Sequence, residues 1–294
     1  MAWIPAGPGL LFAPADRPER FAKAAQRSDM VILDLEDGCR AENRPQAREN
    51  IKACELDPAR TIVRINPPGS ADFDLDVAAV EASPFTQVMV PKSEDLSIFD
   101  ATSPETGDWQ IIALIETPKG VLCLEEVANH PQVVALFWGA EDLTAALGGT
   151  SSRYGVDELP TNGGGVSGQP GGYREVPRLT RAQVLLHAAA AGKVALDSIH
   201  ADTADVEGAR AEAVDAAASG FAATVSIHPG LVPAIREAYS PTEEQLTWAK
   251  KVAEGAAENS GAFAVDGQMI DAPLLRQAEV ILARRPDANA ETRS

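Results

Sequence analysis

The chain has 294 residues, 45% hydrophobic and 23% charged, with 43 acids against 25 Lys and Arg for a formal net charge of −18. That balance describes a globular chain of one large or two small domains with a sizeable core. The acidic excess argues against nucleic acid or an anionic membrane as main partner, because both are held by basic surfaces. Cys39, Cys54 and Cys123 are odd in number and have no metal-ligand spacing, which suits reduced thiols in a cytoplasm. No apolar stretch approaches membrane-spanning length. The start, MAWIPAGPGL, lacks a basic segment ahead of a long apolar one, so no signal peptide is expected.

In chain order, the first apolar run is GLLFAP at 9–14, followed by helical spacing over 18–27. MVILDLE (30–36) leads to a helical stretch at 43–55, and TIVRIN (61–66), QVMVPK (87–92), QIIALIET (110–117) and VVALFWGA (133–140) follow. A Gly-, Pro- and Ser-rich stretch at 148–177 precedes a helical segment at 179–191, then KVALDSI (193–199), a helix over 205–218 and AATVSIH (222–228). Strands alternating with helices predict right-handed βαβ units and a parallel sheet. Eight such units in roughly 230 residues predict a closed (β/α)8 TIM barrel. An open doubly wound sheet would want a Gly-rich phosphate turn after the first strand, and FAPADRPER has none.

This reading places the barrel over 1–240 and a C-terminal helical extension over 241–294: a helix at 241–258, a turn, a final helix and a fraying tail, PDANAETRS. The segment 148–177 is an insertion long enough to be a lid, a binding loop or a disordered surface excursion. The acidic run EDLSIFD (94–100) reads as an exposed loop.

In a barrel, chemistry gathers at the C-terminal ends of the strands. The polar residues collect there: Asp34, Glu36 and Asp37 after the second strand, Arg64 and Asn66 on the third, and Lys92 on the fourth. Glu116 ends the fifth, Glu141 and Asp142 follow the sixth, and His228 ends the eighth. Glu116 closes an otherwise apolar run, and a buried carboxylate needs solvent, a counter-charge or a metal. Two hard oxygen ligands on neighbouring strands, Glu116 and Asp142, suit Mg²⁺. An ion network with Arg64 and Lys92 is the competing reading. No His or Cys cluster for zinc is present, and without a Gly-x-Ser-x-Gly elbow or a base for Cys39, nucleophilic catalysis has little support. Arg17, Arg20 and Lys23 form either a solvated helix face or a contact for phosphates. His228 reads as a strand-end turn, and His130 and His187 as helix or surface residues.

FAPADRPERFAKA, VILDLEDG with ENRPQAR, IVRINPP, VMVPKSE, LIETPKGV, ALFWGAEDL, SIHPGLVPAIREAYSPTEEQ and GQMIDAPLLRQAEVILA follow one another from about residue 9 to 284. Together they resemble the citrate lyase beta-subunit-like proteins, in the acyl-CoA lyase branch of the HpcH/HpaI aldolase superfamily. The resemblance implies a modified (β/α)8 barrel, Mg²⁺ dependence and homo-oligomers, trimers or hexamers. It implies cleavage or formation of a carbon–carbon bond in malyl-, citramalyl- or citryl-CoA-type thioesters. By motif, Glu116 of IETPKG and Asp142 of GAEDL correspond to the magnesium ligands, and Arg64 of VRIN binds substrate near the developing enolate. Asp271 of MID reaches a neighbouring subunit's site and handles the proton on the acetyl carbon. Glu36 and Asp37 line the site or orient Arg64, and Arg17, Arg20 and Lys23 lie near the CoA phosphates. The segment 148–177 is longer and richer in glycine than the resemblance leads one to expect, which bears on the choice of acyl chain. A thioester hydrolase on the same scaffold, and a citrate lyase beta subunit working within a complex on a carrier-protein thioester, are the other functions this resemblance allows.

Overall fold

The computed structural model describes residues 3–99, 109–155, 158, 171–259 and 261–285. These divide into two compact units, with the boundary at Ile235/Arg236.

The first unit is a closed barrel of eight parallel strands in sequence order, β1 pairing with β8. The strands are β1 (Gly9–Pro14), β2 (Met30–Asp34), β3 (Thr61–Arg64), β4 (Gln87–Val90), β5 (Gln110–Ile115), β6 (Val133–Trp138), β7 (Val194–Asp197) and β8 (Ala223–Ser226). Around them run α1 (Phe21–Arg27), α2 (Arg44–Lys52), α3 (Phe73–Glu81), α4 (Pro118–Leu122), α5 (Leu124–Asn129), α6 (Ala140–Ala146), α7 (Glu175–Ala190) and α8 (Val206–Ser219), and α9 (Val232–Tyr239) spans the boundary between the two units. The expected (β/α)8 architecture is therefore the observed one. The strands read as near-continuous apolar runs because a parallel barrel buries both faces. Proline near the start of α2 and α4 and a left-handed Gly220 after α8 (φ 114°) mark helix ends that the sequence could signal.

Leu10, Ile32, Ile62, Met89, Ile112, Leu114, Phe137, Leu196 and Val225 meet in one cluster. Side chains alternate across a strand. The same face two residues further along carries Asp34, Arg64, Glu116, Ser198 and Ile227. The parity that fills the barrel with aliphatic groups thus delivers charged ones to its C-terminal mouth.

β1 ends where the sequence suggests and β2 to β8 each end two residues earlier, so Glu36, Lys92, Glu116 and His228 lie on the turns just beyond their strands. Ladder pairing runs out at this rim, where the chain turns outward. The helix expected at 179–191 starts earlier, at Glu175. The segment 94–100 is not simply an exposed loop. Leu96 and Phe99 are buried, and the Phe99 ring lies 6.1 Å from Phe73 and 6.2 Å from Trp109. Apolar residues inside an acidic run found a core that the local charge obscured. Of the insertion at 148–177, residues 156, 157 and 159–170 lie outside the described residues, as does the tail from 286 onward.

The second unit holds α10 (Glu243–Glu258), an antiparallel hairpin of β9 (Phe263–Val265) and β10 (Gln268–Ile270), and α11 (Ala272–Ala283). Thr242 and Gln245 form a capping box at the start of α10. Ala249, Val252, Val265, Ile270 and Ala278 form its own small core. The hairpin is absent from the sequence reading, since its strands are three residues each; the signal available was Asp266–Gly267, both at positive φ.

Candidate active site

Asp34 and Arg64 are direct register partners on β2 and β3. Arg64 Nε donates to Asp34 Oδ1 at 2.7 Å and Nη2 to Oδ2 at 2.6 Å, a bidentate fork. Nη1 lies 2.9 Å from Glu36 Oε2. The turn after β2 is built around the same aspartate, which accepts from the amides of Glu36 (3.0 Å) and Gly38 (2.8 Å). A Cβ at position 38 would sit 2.3 Å from Asp34 Oδ2, so glycine is required there. The guanidinium also lies 4.7 Å from the centre of the Phe12 ring. Despite burial, Asp34 and Glu36 hold Arg64 well above the ordinary guanidinium range. Asp34 was not singled out in the sequence for this role; the signal was the DLEDG turn, an aspartate followed four residues later by glycine.

Glu116 is 3% exposed and Arg64 9%. Glu116 Oε1 accepts from the amide of Lys92 at 3.1 Å, with Lys92 Nζ 3.7 Å away. Lys92 adopts φ 50°, in the left-handed region, and its Nζ donates to Glu36 at 2.6 Å. Burial, then the charges of Glu36 and Asp142, push the Glu116 carboxyl up to about 8, against the opposing pull of Lys92 and Arg64. Burial likewise raises Glu36 despite Arg64 and Lys92. The cations here are fewer than the acids they serve.

Glu116 and Asp142 face a chamber of about 360 Å³ whose walls include Asp34, Asp37, Arg64 and Glu141. Asp142 sits in the first turn of α6 and is exposed. Its neighbour Glu141 accepts from Ser152 Oγ at 2.6 Å. A Cβ at Gly139 would meet Glu116 Oε2 at 3.0 Å, so the glycine leaves that carboxylate oxygen room. Glu36 contacts the chamber through Arg64. Among the described residues no group of three or more His, Cys, Asp or Glu has the geometry to hold a metal. The Glu116–Asp142 pair fits a cation that takes one or two carboxylates and completes its shell with water and substrate oxygens, as Mg²⁺ does. The uncompensated negative charge around Glu116 favours such an ion.

Phe12, Pro14 and Ile227 separate this chamber from a second cleft of about 510 Å³ that carries Arg20, Lys23, Arg27 and His228. Arg27 is an addition to the sequence-based set. Arg17 is exposed, 4.0 Å from Asp16, and does not line the cleft. Asp271 belongs to the second unit, where its carboxylate caps α11 through the amide of Leu274.

With this geometry in place, the sequence profile of the HpcH/HpaI aldolase/citrate lyase family matches residues 9–229. The chain belongs to that family. It is a carbon–carbon lyase. It is 46% identical to the citrate lyase subunit beta-like protein of Mycobacterium tuberculosis strain H37Rv, over 97% of this chain and 98% of the relative. It is 28% identical to the human mitochondrial citramalyl-CoA lyase, over 92% of this chain and 83% of that one. A crystal structure of protein CitE from M. tuberculosis in complex with magnesium, acetoacetate and coenzyme A superposes with a TM-score of 0.83 at 47% identity, covering 95% of this chain and 98% of that one. Among the described residues of this family member, no helix is long and apolar enough to cross a membrane.

Proposed function

We propose that this lyase cleaves or forms the carbon–carbon bond of a 3-hydroxy-3-carboxyacyl-CoA of the malyl-, citramalyl- or citryl-CoA type, giving a 2-oxo acid and an acyl-CoA. The observation that carries the reading is the buried Glu116, crowded by Glu36 and Asp142 at the mouth of a barrel. The magnesium, oxo-acid-like and coenzyme A ligands of the related CitE structure support it. Glu116 and Asp142 hold Mg²⁺, which when bound supplies Lewis acidity to the substrate's hydroxyl and carboxylate oxygens.

Arg64 carries a fixed positive charge beside the thioester, where the enolate forms as the bond breaks. Two of its five N–H groups are taken by Asp34, and Glu36 Oε2 stands 2.9 Å from Nη1 as a charge contact; this fixes the plane of the guanidinium and leaves N–H groups for the substrate. Lys92 spaces Glu36 from Glu116, and Asp37 adds a carboxylate to the chamber wall. Arg20, Lys23 and Arg27 offer cations to the CoA phosphates in the adjoining cleft, with Arg17 at its approach. Asp271 of a second copy of the chain, in a homo-oligomer such as a trimer or hexamer, gives the enolate carbon its proton, or removes that proton in condensation.

The deciding assay incubates the protein with Mg²⁺ and malyl-, citramalyl- or citryl-CoA and measures free 2-oxo acid. Turnover of at least one is expected; no turnover and no CoA binding sink the proposal. Free CoA released with hydroxy acid and without oxo acid would assign thioester hydrolysis instead. Activity confined to a carrier-protein thioester would assign the role of a complex-bound beta subunit. For Asp271, mixing Asp271→Ala and Arg64→Ala subunits one to one should restore about a quarter of wild-type activity, the share of sites assembled from two intact halves.

A further inference from the structure

Resting on that lyase reading, we infer that the chamber selects a 2-oxo acid with a small, uncharged substituent, of the pyruvate kind, and rejects a second carboxylate such as that of oxaloacetate. The inference comes from the charge inventory of the chamber. Its described walls carry the acids Asp34, Asp37, Glu116, Glu141 and Asp142, and Arg64 is the one cation among them. Arg64 is already forked onto Asp34 and set against Glu36, so the N–H groups left on its single guanidinium serve one oxygen-bearing end of the substrate and not a second. Lys92, the nearest further cation, is committed to Glu36 at 2.6 Å and lies outside the chamber wall.

Glu116 and Asp142 would hold Mg²⁺, whose Lewis acidity would act on the 2-oxo-carboxylate group that every 2-oxo acid shares and so would not distinguish the substituents. What faces the remainder of the oxo acid is apolar: Phe12, Leu114, Phe137, Ile199 and Ile227. Phe12 and Ile199 pack against the aliphatic barrel core to which Leu114 and Phe137 belong. A methyl group there removes apolar surface from water on both sides. A carboxylate there loses hydration, finds the Ser198 hydroxyl as the one side-chain donor besides Arg64 among the described walls, and is repelled by the surrounding acids.

Ile199 and Ile227, each just past the end of its strand, are the specificity-determining positions of this wall. Ile227 is 42% exposed, so a longer polar residue fits there without disturbing the core.

The test follows condensation of acetyl-CoA with glyoxylate, pyruvate or oxaloacetate in Mg²⁺, and reads kcat/KM from the thioester product by mass spectrometry. Pyruvate is expected to exceed oxaloacetate by about 100-fold, and Ile227→Lys to shrink that gap at least tenfold by raising oxaloacetate and lowering pyruvate. Oxaloacetate turned over as well as pyruvate by the wild-type protein overturns the inference, as does an Ile227→Lys or Ile199→Lys pair that both leave a wild-type ratio. Failure of the lyase reading looks different, since no 2-oxo acid then yields thioester. Calorimetric titration of the Mg²⁺-loaded protein with the two acids decides in that event: tighter pyruvate upholds the selectivity, and equal or tighter oxaloacetate ends it.

Discussion

Two buried ion networks sit at the mouth of the same barrel, and they differ in their balance. At β6–β8, Arg153 stacks 3.8 Å above the Tyr173 ring and pairs with Glu212, His200 Nδ1 lies 3.0 Å from Glu212, and Tyr173 packs edge-on against Trp138 at 5.0 Å. Arg181 pairs with both Asp197 and Asp215, while Trp138 Nε1 donates to Asp197 at 2.9 Å. Burial alone would raise the Glu212 carboxyl, yet His200 and Arg153 bring it below its ordinary value. At β2–β5, burial raises Glu116 to about 8, because Arg64 and Lys92 are shared with Asp34 and Glu36. Both networks are buried and rich in arginine. Charge is left uncompensated in the network around Glu116, where the ligand site is proposed; the compensated one ties the barrel to the base of the long connection before α7.

The strongest way to break this contrast is to remove the surplus charge. Glu116→Ala should cost at least about 1,000-fold in kcat, as loss of a metal's Lewis acidity does, while circular dichroism and melting temperature stay near wild type. Wild-type turnover in that variant would remove Glu116 from the metal site. The matching change in the balanced network is Glu212→Ala, which strands Arg153 and His200. It should cost about 3 kcal/mol of stability, by denaturant melts, as removing one partner of a buried pair does, and leave Mg²⁺ affinity within about twofold. A larger effect on Mg²⁺ than on stability would show that the two networks are not separate in function.

A subtler probe is Gly139→Ala, whose Cβ would come within 3.0 Å of Glu116 Oε2. Mg²⁺ affinity by calorimetry should fall about 10-fold or more, as it does when groups behind a ligand are disturbed; an unchanged Kd would mean Oε2 is not a ligand.

The remaining effects are in pH. The folded form holds the Glu116 proton to higher pH than the unfolded chain does, so this group makes the metal-free protein less stable as pH rises from 4.5 to about 8. Glu212, held below its ordinary value, contributes the opposite slope: stability present above about pH 4.5 and lost as pH falls through its folded value. Mg²⁺ binding requires the ionised Glu116, so the apparent Kd should tighten by up to about tenfold per pH unit below 8 and level off above. A pH-independent Kd from 6 to 8 would contradict the shift.

Much of this was legible in the residues themselves. The alternation of apolar runs with helical spacing has one closed solution at eight repeats, and the strand parity that makes Ile32, Ile62 and Leu114 core also aims Asp34, Arg64 and Glu116 at the mouth. Glu116 and Asp142 could be nominated because an acid at the end of an aliphatic run has few physical excuses. Asp34 was harder to see, because its grip on Arg64 depends on a register pairing between strands about 30 residues apart. The Phe99–Phe73–Trp109 core was invisible for the same reason: its local composition is acidic, and its partners are distant in sequence.

The amino-acid sequence by itself determined the barrel, its open end and the residue types gathered there, because periodicity and chain length are local properties. Only the tertiary structure decided which acids are balanced and which are not. Charge compensation is a matter of distances of a few ångströms between strands, and no count along the chain measures it. Lys92 joined to Glu36, Arg64 forked onto Asp34 and Glu116 left short of cations are facts of that kind.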